Sequence, residues 1–158
     1  MSDASIRIQP LFNPADEEWV VLTGRYILNM GVIEFATRLL VTQIEGTDAV
    51  PVFSAELAAR IGFIRTRFPR PNADRHKWAM AALEVAMKHT TFRNIVAHSP
   101  LLIAGLPDGS FQIGGIMNVT PKSPDNIAEI VSLDELRGRV NESAIVARHI
   151  LEMQADFS

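Results

Sequence analysis

The sequence predicts a mainly α-helical protein, an antiparallel bundle of four to five helices with a small β-hairpin inserted after the third. Three observations predict it. Apolar residues recur at spacings of three and four along several long stretches, the period that gathers them on one helix face. Short segments rich in Gly and Pro separate those stretches, as between antiparallel neighbours in a bundle. After residue 100 the pattern changes to strand-like runs around an Asp-Gly step, which favours a tight turn. With 158 residues, 47% apolar and 21% charged, the chain suits one domain over 1–158, the hairpin insert covering about 101–119.

Asn13-Pro14 opens the first helix. Asn is a favoured N-cap, Pro is preorganised for the first helical position, and Asp16, Glu17 and Glu18 complement the positive helix end. Trp19, Leu22, Tyr26, Met30, Ile33, Thr37, Leu40 and Ile44 then form one stripe to about Glu45, where Gly46 stops it. Gly24 and Gly31 lie inside this helix and each costs up to about 1 kcal/mol relative to Ala, which points to a kink or a close helix contact. Pro51 to Ser54 restarts the chain, Ser54 caps a shorter helix carrying Leu57, Ile61 and Ile64 towards Phe68, and Pro69-Arg70-Pro71 breaks it. The third helix runs from about Asp74 through Trp78, Ala82 and Val85 to His98. Ser99-Pro100 ends it, because Pro cannot continue a helix and disfavours helical geometry at the residue before it.

Leu101–Ile103 and Phe111–Val119 flank Pro107-Asp108-Gly109 as the two arms of the hairpin, with Gly114-Gly115 as a bend in the second arm. A Pro-rich linker from Pro121 to Pro124 leads to a candidate third strand, Ile127 to Val131. Ser132-Leu-Asp-Glu135 has the spacing of a capping box. The last helix carries Leu136, Val140, Ile145 or Ala144, Ala147, Leu151 and Phe157.

Cysteine is absent, which excludes a disulfide framework and thiolate metal sites. The start of the chain lacks a basic region followed by an apolar core, and no run of 18 apolar residues occurs, so a cytoplasmic protein with no membrane partner is expected. The net charge of −3 is unevenly spread. Residues 57–107 hold Arg60, Arg65, Arg67, Arg70, Arg75, Lys77, Lys88 and Arg93 against Asp74 and Glu84, a balance of +6 that leaves −9 for the flanks. Phe63, Phe68 and Trp78 are interleaved with these cations. Two readings stay open: an RNA platform that tracks phosphates and stacks bases, with Arg65, Arg67 and Arg70 as its cations, or a solvated turn whose aromatics point into the core.

The densest chemistry lies in Arg93-Asn94-Ile95-Val96-Ala97-His98. Arginine brings a permanent charge and a planar donor fork that matches phosphate oxygens. Histidine can accept and return a proton near neutrality. This Arg-polar-x-x-x-His spacing resembles the signature of the HEPN superfamily (higher eukaryotes and prokaryotes nucleotide-binding), helical bundles that include many RNases of toxin and antiviral systems. Some of its larger families add a hairpin just after the motif.

The resemblance implies metal-independent RNA cleavage with no cofactor. His98 would take the proton of the ribose 2′-OH, Arg93 would stabilise charge on the phosphoryl oxygens, and Asn94 would hold His98. Helix arithmetic sets Asn94 and His98 on one face but Arg93 roughly 140° from His98 and about 7.5 Å along the axis. Arg93 must therefore reach around, the helix must distort, or a second chain must complete the site. The family's two-fold homodimers do the last, with two motifs around one phosphate. RNA, a second copy and an antitoxin or nucleotidyltransferase are the implied partners. The alternative is a non-catalytic HEPN-like module that binds a nucleotide or protein, with Arg93 paired to an acid such as Glu34 and His98 capping carbonyls; a helical adaptor outside the superfamily is a third reading. No metal site is expected, since His76, His89, His98 and His149 do not pair at i, i+4 or cluster with carboxylates.

Overall fold

The computed structural model describes residues 6–7, 17–46, 55–70, 72–98, 101–105, 111–116 and 127–157, with side chains over 17–46, 55–70, 72–97 and 131–157. The protein is mainly helical. Its elements run β1 (Ile6–Arg7), α1 (Glu17–Glu45), α2 (Leu57–Arg67), α3 (Ala73–His98), β2 (Leu101–Gly105), β3 (Phe111–Ile116), β4 (Ile127–Ser132), α4 (Leu133–Glu152) and a closing 3-10 turn (Met153–Phe157). Asn13, Pro14, Ser54 and the Pro107–Gly109 turn lie outside the described residues.

The chain divides into two compact units, one of Met1–Ile27 with Thr91–Asn141, the other of Leu28–Thr90 with Glu142–Ser158. The first unit holds an antiparallel sheet in the order β1-β2-β3-β4. Its register sets Ile6 opposite Ala104, Ile103 opposite Ile113 and Ile113 opposite Val131. Pairing shifts between Gly115 and Ile116, beside the glycine pair, where a bulge is easiest to form. β1 was not foreseen, because a two-residue strand has too little alternation to read. The buried side chains of this unit include Trp19, Leu22, Tyr26, Phe92, Ile95, Val131, Leu136 and Val140.

The first turn of α4 closes with the capping box. The Ser132 backbone N–H donates to Glu135 Oε2 at 2.6 Å, and the Glu135 N–H donates to Ser132 Oγ at 3.2 Å. The Ser132 backbone bond, then its hydroxyl, hold the Glu135 carboxyl below its usual pKa. Because the folded value lies below the unfolded one, this contribution is present above about pH 4.5 and is lost as the pH falls through the folded value. Ser132→Ala is expected to cost about 1 kcal/mol, and the urea-midpoint gap between the wild type and Glu135→Gln should narrow as the pH falls below 4.5. A gap that stays constant in acid would remove the carboxylate from the cap.

In the second unit, the later part of α1 buries Met30, Ile33, Ala36, Thr37, Leu40 and Val41, while α2 buries Leu57, Arg60, Ile61 and Ile64. α1 gives way to Gly46, whose φ of 71° is left-handed, the conformation that a glycine after a helix supplies without strain. α2 ends at Phe68, whose extended φ and ψ leave its N–H bonded to the Ile64 carbonyl at 2.8 Å. α3 begins at a cap the sequence reading passed over: Asn72 Oδ1 accepts from the N–H groups of Asp74 and Arg75 at 2.8 and 3.1 Å.

The apolar stripe of α4 differs from the one expected. Leu136, Val140, Ser143, Val146, Ala147, Ile150 and Met153 are buried, whereas Ala144 is exposed and Ile145 and Leu151 are 48% and 39% exposed. The reason is Ser143, a polar residue at a core position, whose hydroxyl accepts from Asn29 Nδ2 at 3.1 Å. A reading that skips polar residues steps past it onto the neighbouring face.

α1 is also long and apolar enough to cross a membrane by length and composition, though the core helix of a soluble protein passes the same test. That test needs no unbroken apolar run, and Arg25, Asn29, Glu34 and Arg38 interrupt this one.

Candidate functional site

The expected catalytic residues occupy the last two turns of α3, in the first unit. Phe92 and Ile95 are buried there, Arg93 and Val96 half-buried, and Asn94 and Ala97 exposed. That pattern follows from the 100° step: Phe92 and Ile95 point inward, so the residue between them along the outer arc, Asn94, faces solvent. Position 98 lies about 40° from Asn94 by helix register; the His98 side chain is outside the described residues.

Phe92 anchors this segment. Its ring meets the fully buried Tyr26 ring of α1 edge-on, centroids 5.1 Å apart and planes at 63°. The Arg139 guanidinium of α4 covers the Phe92 ring at 4.4 Å from its centroid, a cation–π geometry. The next residue, Arg93, donates from Nη1 to Asn94 Oδ1 at 3.0 Å. Helix arithmetic alone had assigned Asn94 to orient His98; in the structure its carbonyl oxygen receives the arginine. This leaves the amide nitrogen of Asn94 as its remaining donor side.

Arg139 is the functional candidate that the sequence reading missed. It lies 46 positions beyond Arg93 in the chain, and only the stacking on Phe92 brings a second guanidinium to the end of α3. The one signal in the sequence is its place four residues after Glu135, nearly two turns into α4, which is equally typical of a solvated helix face.

Two of the other histidines have structural partners, while the Nε2 of His76 is buried without a hydrogen-bond partner among the described residues. His89, on α3 in the second unit, is 2% exposed, with Nε2 3.0 Å from Glu142 Oε2. His149 lies against the Trp78 ring at 4.9 Å, and His76 stands 6.1 Å from Phe68. Among the described residues no group of three or more His, Cys, Asp or Glu side chains is arranged to hold a metal ion.

The basic middle of the chain is largely absorbed by its own unit. Arg60 is 2% exposed, its Nε donating to Thr37 Oγ1 at 3.2 Å and its Nη1 to the Ala55 carbonyl. Arg75 grips Asp156 at 2.7 Å, donates to the Glu152 carbonyl at 3.1 Å and lies over the Trp78 ring at 3.7 Å; these bonds to Asp156 raise its pKa further. Lys88 pairs with Glu84 at 3.6 Å. Of the three arginines assigned to RNA, Arg67 pairs with Glu45 at 3.2 Å and covers the Phe63 ring at 3.9 Å, while Arg65 and Arg70 are exposed. The interleaved aromatics follow suit. Phe68 is buried against Phe157, and Trp78 is enclosed between Arg75 and His149.

No protein-family model, curated protein or solved structure matches the chain.

Proposed function

We propose that the chain is a HEPN-like, metal-independent endoribonuclease that acts as a cytoplasmic homodimer, within a toxin–antitoxin or antiviral system and beside an antitoxin or nucleotidyltransferase partner. The architecture that goes with this reading is an antiparallel bundle with a hairpin inserted at about 101–119. The observation that carries it is the motif at the end of a long helix, with Arg93 and Asn94 joined by a hydrogen bond at its surface. His98 removes the ribose 2′-OH proton, and the resulting oxygen attacks the adjacent phosphorus. Arg93 stabilises the developing phosphoryl charge, Asn94 positions the imidazole, and the 5′-oxygen leaves with a proton taken from water, giving a 2′,3′-cyclic phosphate and a 5′-OH while His98 returns its proton to solvent. Two motifs facing one cleft across a two-fold axis supply both arginines and both histidines.

Incubation of the purified chain with single-stranded RNA in excess chelator tests this directly. Cyclic-phosphate ends are expected; intact RNA, or cleavage that requires an added divalent ion, counts against the mechanism.

The exposed arginines of the second unit guide RNA in this reading. Phosphate contacts release condensed counterions, so log K should fall with log salt by about 0.7 per neutralised phosphate on a single strand. Replacing Arg65, Arg67 and Arg70 together by Gln should flatten that slope, chiefly through Arg65 and Arg70, since Arg67 already faces Glu45. The fold should survive, because an exposed ion pair contributes about 0–1 kcal/mol. An unchanged salt dependence would reduce these arginines to solvation.

A second reading is favoured by the same Arg93–Asn94 bond. A guanidinium held by its neighbour's amide can be purely structural, which suits a non-catalytic HEPN-like module that binds a nucleotide or a protein.

A further inference from the structure

Two arginines stand two positions apart on α4 and therefore on different faces, about 200° around the helix. Arg137 is committed to protein carboxylates, binding Glu18 of α1 and Asp134 of its own first turn. Arg139 goes to the other side, where its guanidinium stands 4.4 Å from the centroid of the Phe92 ring and is half-buried. The acid that feels its charge is Glu135, one turn earlier, and that carboxylate already takes the Ser132 backbone N–H at 2.6 Å. A guanidinium resting on an aromatic ring has little rotamer freedom left to lose when a ligand arrives, and its donors form a planar fork that matches phosphate oxygens. Phe92 directly precedes Arg93, whose own guanidinium is bonded to Asn94. Two cations are thus tied to successive residues of α3, one by stacking and one by the chain itself, and residues 91–97 carry no carboxylate.

We infer that Arg139 binds a phosphate flanking the scissile one, so that a single RNA strand is held at two points: at Arg93, where it is cut, and at the guanidinium stacked on Phe92. The inference takes its ligand from the nuclease reading above and adds to it a residue that fixes where along the strand the 2′-OH is presented to His98. A single strand repeats its phosphate at every nucleotide, so a strand seated at Arg93 brings neighbouring phosphates with it. Arg139 meets such a neighbour and not the reacting atoms. Its contribution is therefore the same before and in the transition state, and its loss raises KM while kcat stays nearly constant. Arg93 differs in this respect, because its stabilisation grows as charge develops on the phosphoryl oxygens.

Binding of a short fluorescein-labelled 2′-O-methyl oligouridylate to the full chain, followed by anisotropy, tests this apart from cleavage, since the probe has no 2′-OH. Arg139→Gln is expected to weaken binding about tenfold, the scale of a hydrogen bond to a charged group, and to make the fall of log K with log salt shallower by about 0.7, the share of one phosphate. Arg139→Lys, the milder change, should keep the salt slope and bind about threefold more weakly, because an ammonium lacks the planar fork. On cleavable RNA, Arg139→Gln should raise KM about tenfold and leave kcat within about twofold. Phe92→Leu, read well below its melting temperature, should weaken the probe in the same direction, and the double variant should bind no worse than Arg139→Gln alone, because the ring acts through the guanidinium. Unchanged affinity in Arg139→Gln, or in Arg139→Lys where the first does not fold, overturns the inference, as does a wild type that does not bind the probe. Displacement of the probe by AMP at the probe's own dissociation constant assigns the two cations to a mononucleotide and overturns it as well. The two readings fail separately: Arg139-dependent binding of the probe without cleavage of RNA upholds the phosphate grip and removes the nuclease, whereas cleavage whose KM is unchanged in Arg139→Gln keeps the nuclease and removes the grip.

Discussion

Replacing His98 by Ala is expected to lower RNA cleavage about 10²- to 10⁴-fold, the usual contribution of a general base, with the melting temperature unchanged. Position 98 is the last residue of α3, so the melting temperature read beside activity separates the loss of a base from the loss of the fold. A histidine that only capped the helix would give the opposite pair of results: cleavage intact and about 0.3–1 kcal/mol lost through the helix dipole. The pH profile separates the two further. A general base must be deprotonated, so wild-type cleavage should rise with pH as an imidazole loses its proton, and the residual activity of the variant should lose that step. Cleavage that survives the substitution with its pH profile intact eliminates His98 as the base.

What was legible in the sequence follows how local each signal is. The stop of α1 at Gly46 and the Ser132–Glu135 capping box need only neighbouring residues, and both stand in the structure with the expected geometry. The stripe of α4 was misread because Ser143 owes its core position to Asn29, 114 residues away, and polarity alone cannot signal such a partner. The partners of the basic middle were hidden for the same reason. Its charge count was correct, yet Arg60, Arg67 and Arg75 meet Thr37, Glu45 and Asp156, residues outside the segment that was counted. At the candidate site, the motif was visible as a string, whereas the stacking of Arg139 on Phe92 was not, since it joins two helices that the hairpin segment separates.

Phe92→Ala is expected to be the most destabilising single change near the motif, costing about 3–5 kcal/mol as large-to-small core substitutions of aromatics do. Phe92 is 2% exposed, and its removal takes away more than buried area. The edge contact with Tyr26 at 5.1 Å adds about 0.5–1.5 kcal/mol beyond burial, and the Arg139 guanidinium at 4.4 Å loses the face that holds it. Phe92→Leu keeps an apolar filling and should cost clearly less. A cycle with Tyr26→Leu isolates the ring pair, because the two substitutions should then destabilise by less together than the sum of each alone. Since Phe92 precedes Arg93 directly, its truncation should also loosen the last turns of α3 and depress RNA cleavage. That depression should shrink on cooling away from the melting transition, where the folded fraction recovers, whereas the loss in His98→Ala should persist at every temperature. Denaturant unfolding that shows a loss under about 1 kcal/mol for Phe92→Ala would mean that the site can collapse around the missing ring, and that the end of α3 is held by something other than this aromatic contact.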